Sequence, residues 1–213
     1  MPQPSPDRPP ATPLHDRALQ DLSFIRRTME GAASFTDVPG WGLVVAGLVA
    51  LGAAFIADRQ PTPERWLLVW LSAAIVAASL GSLAMLQKMR RRVQGSSAQV
   101  LSTPARKFLL SFWPAVFAGA VLTLALVDPF TTSIEPHVTA RLLPGLWLLL
   151  YGVGVTTAGA FSVRAVPLMG IGFITLGVLA LFVPALDGDL AMALGFGVLQ
   201  MAFGFTIARR HGG

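Results

Sequence analysis

QKMRRRVQGSSAQVLSTPARK, residues 87–107, holds Lys88, Arg90, Arg91, Arg92, Arg106 and Lys107 with no acidic residue, and lies between two long apolar runs. Moving one arginine to the centre of a bilayer costs about 2.5 to 3.5 kcal/mol, whereas a leucine or isoleucine gains only about 0.3 to 0.6. The triplet at residues 90–92 therefore stays in water, and the apolar runs on either side read as separate membrane spans. Short loops rich in Lys and Arg are retained on the cytoplasmic face. This segment thus sets the direction of the chain.

The 213 residues are 54% hydrophobic and 13% charged, whereas about a quarter of a soluble domain is charged. The expected fold class is all-α: a polytopic membrane protein with six transmembrane helices preceded by a cytoplasmic amphipathic helix. A net charge of +5 would suggest nucleic acid in a soluble chain, but here the positive charge sits at the ends of hydrophobic segments. Topology accounts for it, and no nucleic-acid partner is expected. The absence of cysteine excludes disulfides, thiolate metal sites, iron–sulfur clusters and cysteine nucleophiles, and no cofactor is implied. Arginine far outnumbers lysine, and alanine and glycine abound, as in GC-rich bacterial genomes. The expected location is a bacterial cytoplasmic membrane.

Working outward, residues 1–13 carry too much proline and too little apolar surface to pack. No signal-peptide pattern precedes the first apolar run near Trp41, so the first span is expected to direct insertion. Thr12 before Pro13 matches a helix start. Across residues 14–35, Leu14, Ala18, Leu22, Ile25, Met29 and Ala32 line one face, with Asp16, Gln20, Ser23, Arg27 and Glu30 opposite. Such a helix lies either on lipid headgroups or on the cytoplasmic ends of the spans.

The spans are expected at about 38–57, 66–86, 108–127, 144–163, 167–184 and 190–208, with a basic tail at 209–213. Pro114 is a candidate kink, and residues 134–143 a candidate short interfacial helix. Six spans place both termini inside. That side then holds Arg8, Arg17, Arg26, Arg27, the six cations of the central segment, Arg164, Arg209 and Arg210, against Arg59, Arg65 and Arg141 outside. This is the positive-inside pattern at every loop. Trp41, Trp66, Trp113 and Trp147 begin their spans, where an aromatic belt would put them.

No Lys, Arg, Asp, Glu or His falls inside the spans so drawn, whereas ion-coupled transport and intramembrane hydrolysis need such groups at depth. The most polar membrane residues are Tyr151, Thr156, Thr157 and Gln200, with Ser72, Ser79 and Ser82 in the second span. They read either as a polar patch lining a small cavity or as interhelical hydrogen bonds, worth about 0.6 kcal/mol each. Gly42, Ala46, Ala50 and Ala54, and likewise Ala74, Ala78 and Ser82, form small-residue ladders suited to close helix packing. Gly152, Gly154 and Gly159 lack the preceding strand that a dinucleotide fingerprint needs. Asp128, Glu135 and His137 have no spacing that specifies a metal site, and no metal is expected. The six central cations are topogenic by default, and as a patch they would also hold anionic lipid or an acidic partner.

Three stretches, LHDRALQDLSFIRRTMEGAASFTDVPGWG (14–42), LLPGLWLLLYGVGVTTAGAFSVRAVPLMG (142–170) and GFGVLQMAFGFTIARRHGG (195–213), together resemble a family of bacterial multi-pass membrane proteins. The resemblance covers most of the chain and implies six membrane helices. No activity, substrate or catalytic residue comes with it. Val38-Pro39-Gly40 and Leu143-Pro144-Gly145 look alike, with Gly47 and Gly152 at matching offsets. Three spans apart, they would mark inverted repeats of the kind found in transporters, although Pro-Gly is also a common helix start.

Two functions are expected on these grounds. The first is a non-enzymatic sensor, scaffold or regulatory partner that meets the lipid bilayer, anionic lipids included, and a membrane or cytoplasmic protein. The alternative is a transporter or permease for a neutral or apolar small molecule, lined by Tyr151, Thr156 and Gln200.

Overall fold

Five apolar helices long enough to cross a membrane are present in the computed structural model, which describes residues 19, 21–25, 39–93, 103–127, 134, 135 and 137–211. They are α1 (Gly40–Ala57), α2 (Pro63–Val93), α3 (Thr103–Val127), α5 (Ala165–Phe182) and a composite rod. The rod joins α6 (Gly188–Met192), a π-helical segment (Ala193–Leu199) and α7 (Gln200–His211), with right-handed helical backbone at both junctions. Between α3 and α5 lies α4 (Leu143–Gly159), 17 residues long, and the π-helical Val138–Leu142 runs directly into it. The chain is an all-α polytopic membrane protein. Of the stretch expected as a short interfacial helix, residues 138–142 thus run into α4, whereas Ile134 and Glu135 are not helical.

Local chemistry explains the boundaries. Pro144 stands where the π-helical segment gives way to α4, and the missing N–H there falls at the change of winding. Val183 leaves α5 in an extended conformation just ahead of Pro184. Asp187 caps α6, its carboxylate accepting from the N–H groups of Asp189 and Leu190. Pro114 lies inside α3, which continues through it.

Glycines at intervals of seven set the tightest packing. On α1, Gly40 and Gly47 face Gly204 and Gly197 of the rod; on α4, Gly145 and Gly152 face Gly177 and Gly170 of α5. Each pair is antiparallel. A Cβ on Gly40 would lie 2.3 Å from Ala208 N, one on Gly170 2.7 Å from Thr156 N, and one on Gly177 2.7 Å from Leu149 N. Lipid tails are as apolar as leucine, so helices gain little by hiding apolar surface from them. Close backbone approach and dispersion do the work instead. The first residues of these pairs are those that suggested inverted repeats. Through them α1 packs on the sixth apolar segment and α4 on the fifth.

The small-residue ladder of α1 is buried at Gly42, Ala46, Ala50 and Ala54. That of α2 is not: Ala74, Ala78 and Ser82 are exposed. The inward face of α2 is set by its buried large side chains, Trp66, Leu67 and Trp70, and continues through Ala73, Ala77 and Ala84, whose Cβ would meet one on Gly42 at 3.2 Å. Only 11% of the apolar stretch of α2, and 11% of that of α3, is buried.

Charge is divided between the two ends. One end, where α1, α3 and α5 begin, carries exposed Arg106, Lys107, Arg164, Arg209 and Arg210. The described carboxylates of Ser34–Gly213, namely Asp58, Glu64, Glu135, Asp187 and Asp189, all lie at the other. The side chains of Lys88, Arg90, Arg91 and Arg92 fall outside the described residues, although α2 includes their backbone.

Met1–Ala33 forms a separate unit. Of the expected amphipathic helix, Leu19 and residues 21–25 are described; they are helical, with Leu22, Phe24 and Ile25 exposed. The rest of that helix lies outside the described residues.

Candidate functional site

Two tryptophans one turn apart converge on a single carboxylate at the acidic end. Trp66 and Trp70 donate their indole N–H groups to Asp189 Oδ1 at 2.8 and 3.0 Å. They are 7% and 4% exposed. Spacing of four puts both on one face of α2, and the Asp187 cap fixes the first turn of α6, which presents Asp189. Hydrogen bonds to an ionised acceptor are roughly twice as strong as neutral ones. The ring of Trp147 on α4 stacks on Trp66 at 5.9 Å and 15°, and its N–H donates to Thr123 Oγ1 on α3 at 2.8 Å. Ile134 N donates to Glu64 Oε1 at 3.0 Å. Four helices and the segment before α4 are tied together at this end.

Deeper in the bundle the aromatic rings continue as a column. Phe112 meets Tyr151 edge-on at 5.6 Å, and Tyr151, Phe173 and Phe196 form a triangle with centroids 4.8, 5.0 and 5.2 Å apart. One turn beyond Phe196 lies Gln200, at the point where the rod returns from π- to α-helix. Gln200 is 6% exposed, and its Oε1 is buried with no hydrogen-bond partner among the described residues. A π-segment re-aims the side chains that follow it and occurs often at functional sites.

Of the four residues expected to share a polar patch, the two threonines point to different neighbours. Thr156 donates back to Gly152 O at 2.8 Å, on the face against Gly170 of α5. Thr157 points to α3, its hydroxyl within 3.2 Å of Ser111 O and 2.9 Å of Val153 O. Tyr151 packs on Phe196, which stands one turn before Gln200 on the rod. Ser72 and Ser79 bond to carbonyls of their own helix.

Sequence reasoning missed Asp189 and Trp70 and misassigned two other tryptophans. Asp189 reads as part of a polar turn, and Trp66 and Trp147 read as a lipid-facing belt. Trp41 and Trp113 do face outward, at 54% and 66% exposed. The available signal was the four-residue spacing of Trp66 and Trp70, with an Asp-Gly-Asp helix start elsewhere in the chain. Glu135 and His137 are exposed, Asp128 lies outside the described residues, and no group of three or more metal-ligating side chains occurs among the described residues.

Comparisons with family models, with curated proteins and with solved structures give no match.

Leaving a buried acceptor unpaired costs about 1 to 3 kcal/mol, and an apolar replacement of similar shape removes that cost. Gln200→Leu is therefore expected to raise the thermal midpoint of the detergent-solubilised protein, equivalent to about 1 kcal/mol. A lower midpoint would mean that the amide has a bound partner.

Proposed function

We propose that this is a six-span protein of the bacterial cytoplasmic membrane, with both termini inside, acting as a non-enzymatic scaffold, sensor or regulatory partner. The observation that carries the reading is the outward face of α2, where Ala74, Ala78 and Ser82 are exposed along a helix whose apolar stretch is only 11% buried. In α1 the corresponding kind of face is covered by neighbouring helices. Small side chains facing outward allow another membrane helix to come close. The count of six treats Val138–Gly159 as one span, and its 22 residues at about 1.5 Å each match a hydrocarbon core of about 30 Å. The cationic end is then the cytoplasmic one.

Affinity purification of the full chain in mild detergent tests this reading, with wild type and an Ala74→Leu, Ala78→Leu double variant compared side by side. Wild type is expected to retain a membrane or cytoplasmic partner that the double variant loses. Recovery of the bare protein in both cases would sink the reading.

The second reading, a permease for a neutral small molecule, is favoured by Gln200 Oε1, which is buried one turn beyond the aromatic column without a partner among the described residues. Proteoliposomes that swell in iso-osmotic glycerol or urea no faster than protein-free liposomes would remove this alternative.

A further inference from the structure

We propose that the cationic end binds the phosphate of an anionic phospholipid through Arg106 and Lys107 at the start of α3 and Arg164 in the turn between α4 and α5. This rests on the reading above, under which the same end faces anionic lipid, and names the lipid chemistry and the residues that hold it.

Helix packing builds the corner. Phe112 and Ala115 of α3 lie against Gly154 of α4, and Thr157 reaches Ser111 O at 3.2 Å. The start of α3 is thereby laid beside the end of α4. Lys107 Nζ comes to 5.8 Å from the ring centre of Phe161, three residues before Arg164, the N-cap of α5. All three cations are exposed, and the described carboxylates of this unit are at the opposite end. Uncompensated cations from two neighbouring elements produce a local positive potential that an anion relieves, and guanidinium groups match phosphate bidentately.

The apolar part of the site distinguishes a lipid from a free phosphate. Arg106 heads a stripe on α3 formed by Leu110, Trp113 and Phe117, at spacings of four, seven and eleven, each 60–66% exposed. These residues share one helix face. An acyl chain follows that stripe while the headgroup sits at Arg106, with Trp113 near the depth that indole rings prefer.

The test uses the full chain, delipidated in detergent. It is titrated with mixed micelles of phosphatidylglycerol, with phosphatidylcholine, or with inorganic phosphate, and read by native mass spectrometry and thermal midpoint. Wild type is expected to retain phosphatidylglycerol with a raised midpoint, and neither other ligand should have that effect. At about fivefold per cation near an anionic surface, the R106Q/K107Q/R164Q variant weakens phosphatidylglycerol roughly a hundredfold. The R209Q/R210Q control, at the same end but off this corner, changes binding far less.

A second variant, R106K/R164K, keeps the charges that orient the chain and removes only the bidentate forks; a severalfold loss is expected. Phosphatidylglycerol retention by the triple variant equal to wild type, or equal retention of phosphatidylcholine, overturns the proposal. A response to inorganic phosphate alone overturns its lipid part. Partner capture depends on Ala74 and Ala78 and lipid retention on the cationic corner, so failure of one is distinguishable from failure of the other.

Discussion

Asp189→Ala is expected to destabilise the bundle by about 2 to 4 kcal/mol. The carboxylate is the shared acceptor for Trp66 and Trp70, whose indoles are nearly buried. Its removal strands two donors at once, each costing about 1 to 3 kcal/mol. Asp187 is no substitute, because its side chain already accepts from the N–H groups of Asp189 and Leu190. Water reaches the half-buried Asp189 position, which keeps the loss below the sum of two full penalties. Asp189→Asn retains a carbonyl acceptor without the charge, and about half the loss is expected. Pairing Asp189→Ala with phenylalanine at Trp66 and Trp70 removes donors and acceptor together, so the triple variant should be more stable than additivity predicts. Thermal unfolding in detergent, followed by tryptophan emission, measures all three. An Asp189→Ala midpoint within error of wild type would show that the clasp contributes nothing.

Gly170→Ala is expected to cost about 3 kcal/mol, while Gly52→Ala is expected to stabilise by up to about 1 kcal/mol. A Cβ at residue 170 would lie 2.7 Å from Thr156 N and 2.8 Å from Gly152 O, atoms that cannot turn aside as a flexible side chain would. The helices α4 and α5 must separate to admit it, and dispersion along the whole pair is lost. Gly52 has nothing within 4 Å of where its Cβ would stand, so the added methyl only removes the helix penalty of glycine. Opposite signs from one chemical change isolate packing from propensity. Equal effects at the two positions would show that close approach is not what holds the pair.

The membrane architecture was legible in the sequence because its causes are local. Five apolar runs form helices long enough to cross, and each run of Arg and Lys refuses to enter the bilayer. The packing was less legible because its causes are not local. Nothing in residues 40–47 says that their glycines face residues 197–204, nor does the ladder at Ala74, Ala78 and Ser82 declare that Trp66 and Trp70 have already chosen the other face of α2. Tryptophan at a span start suits a lipid interface and a buried clasp equally well; the partner carboxylate decides, and Asp189 lies more than a hundred residues away. The two threonines of the expected polar patch show the same dependence on partners. Thr156 and Thr157 are adjacent in sequence and so point about 100° apart on the helix, one to α5 and one to α3.

The two glycine-paired couples also differ in when they can form. The α4 and α5 helices are neighbours in the chain, joined by a short turn, and can close as soon as both have been made. Gly47 must wait about 150 residues for Gly197, which at about 5 to 20 residues per second means roughly 8 to 30 s of synthesis. Throughout that interval the narrow face of α1 has only lipid or the insertion machinery beside it. The rod is therefore the piece that covers this face, and a chain halted before residue 197 leaves α1 as the surface on which quality control can act.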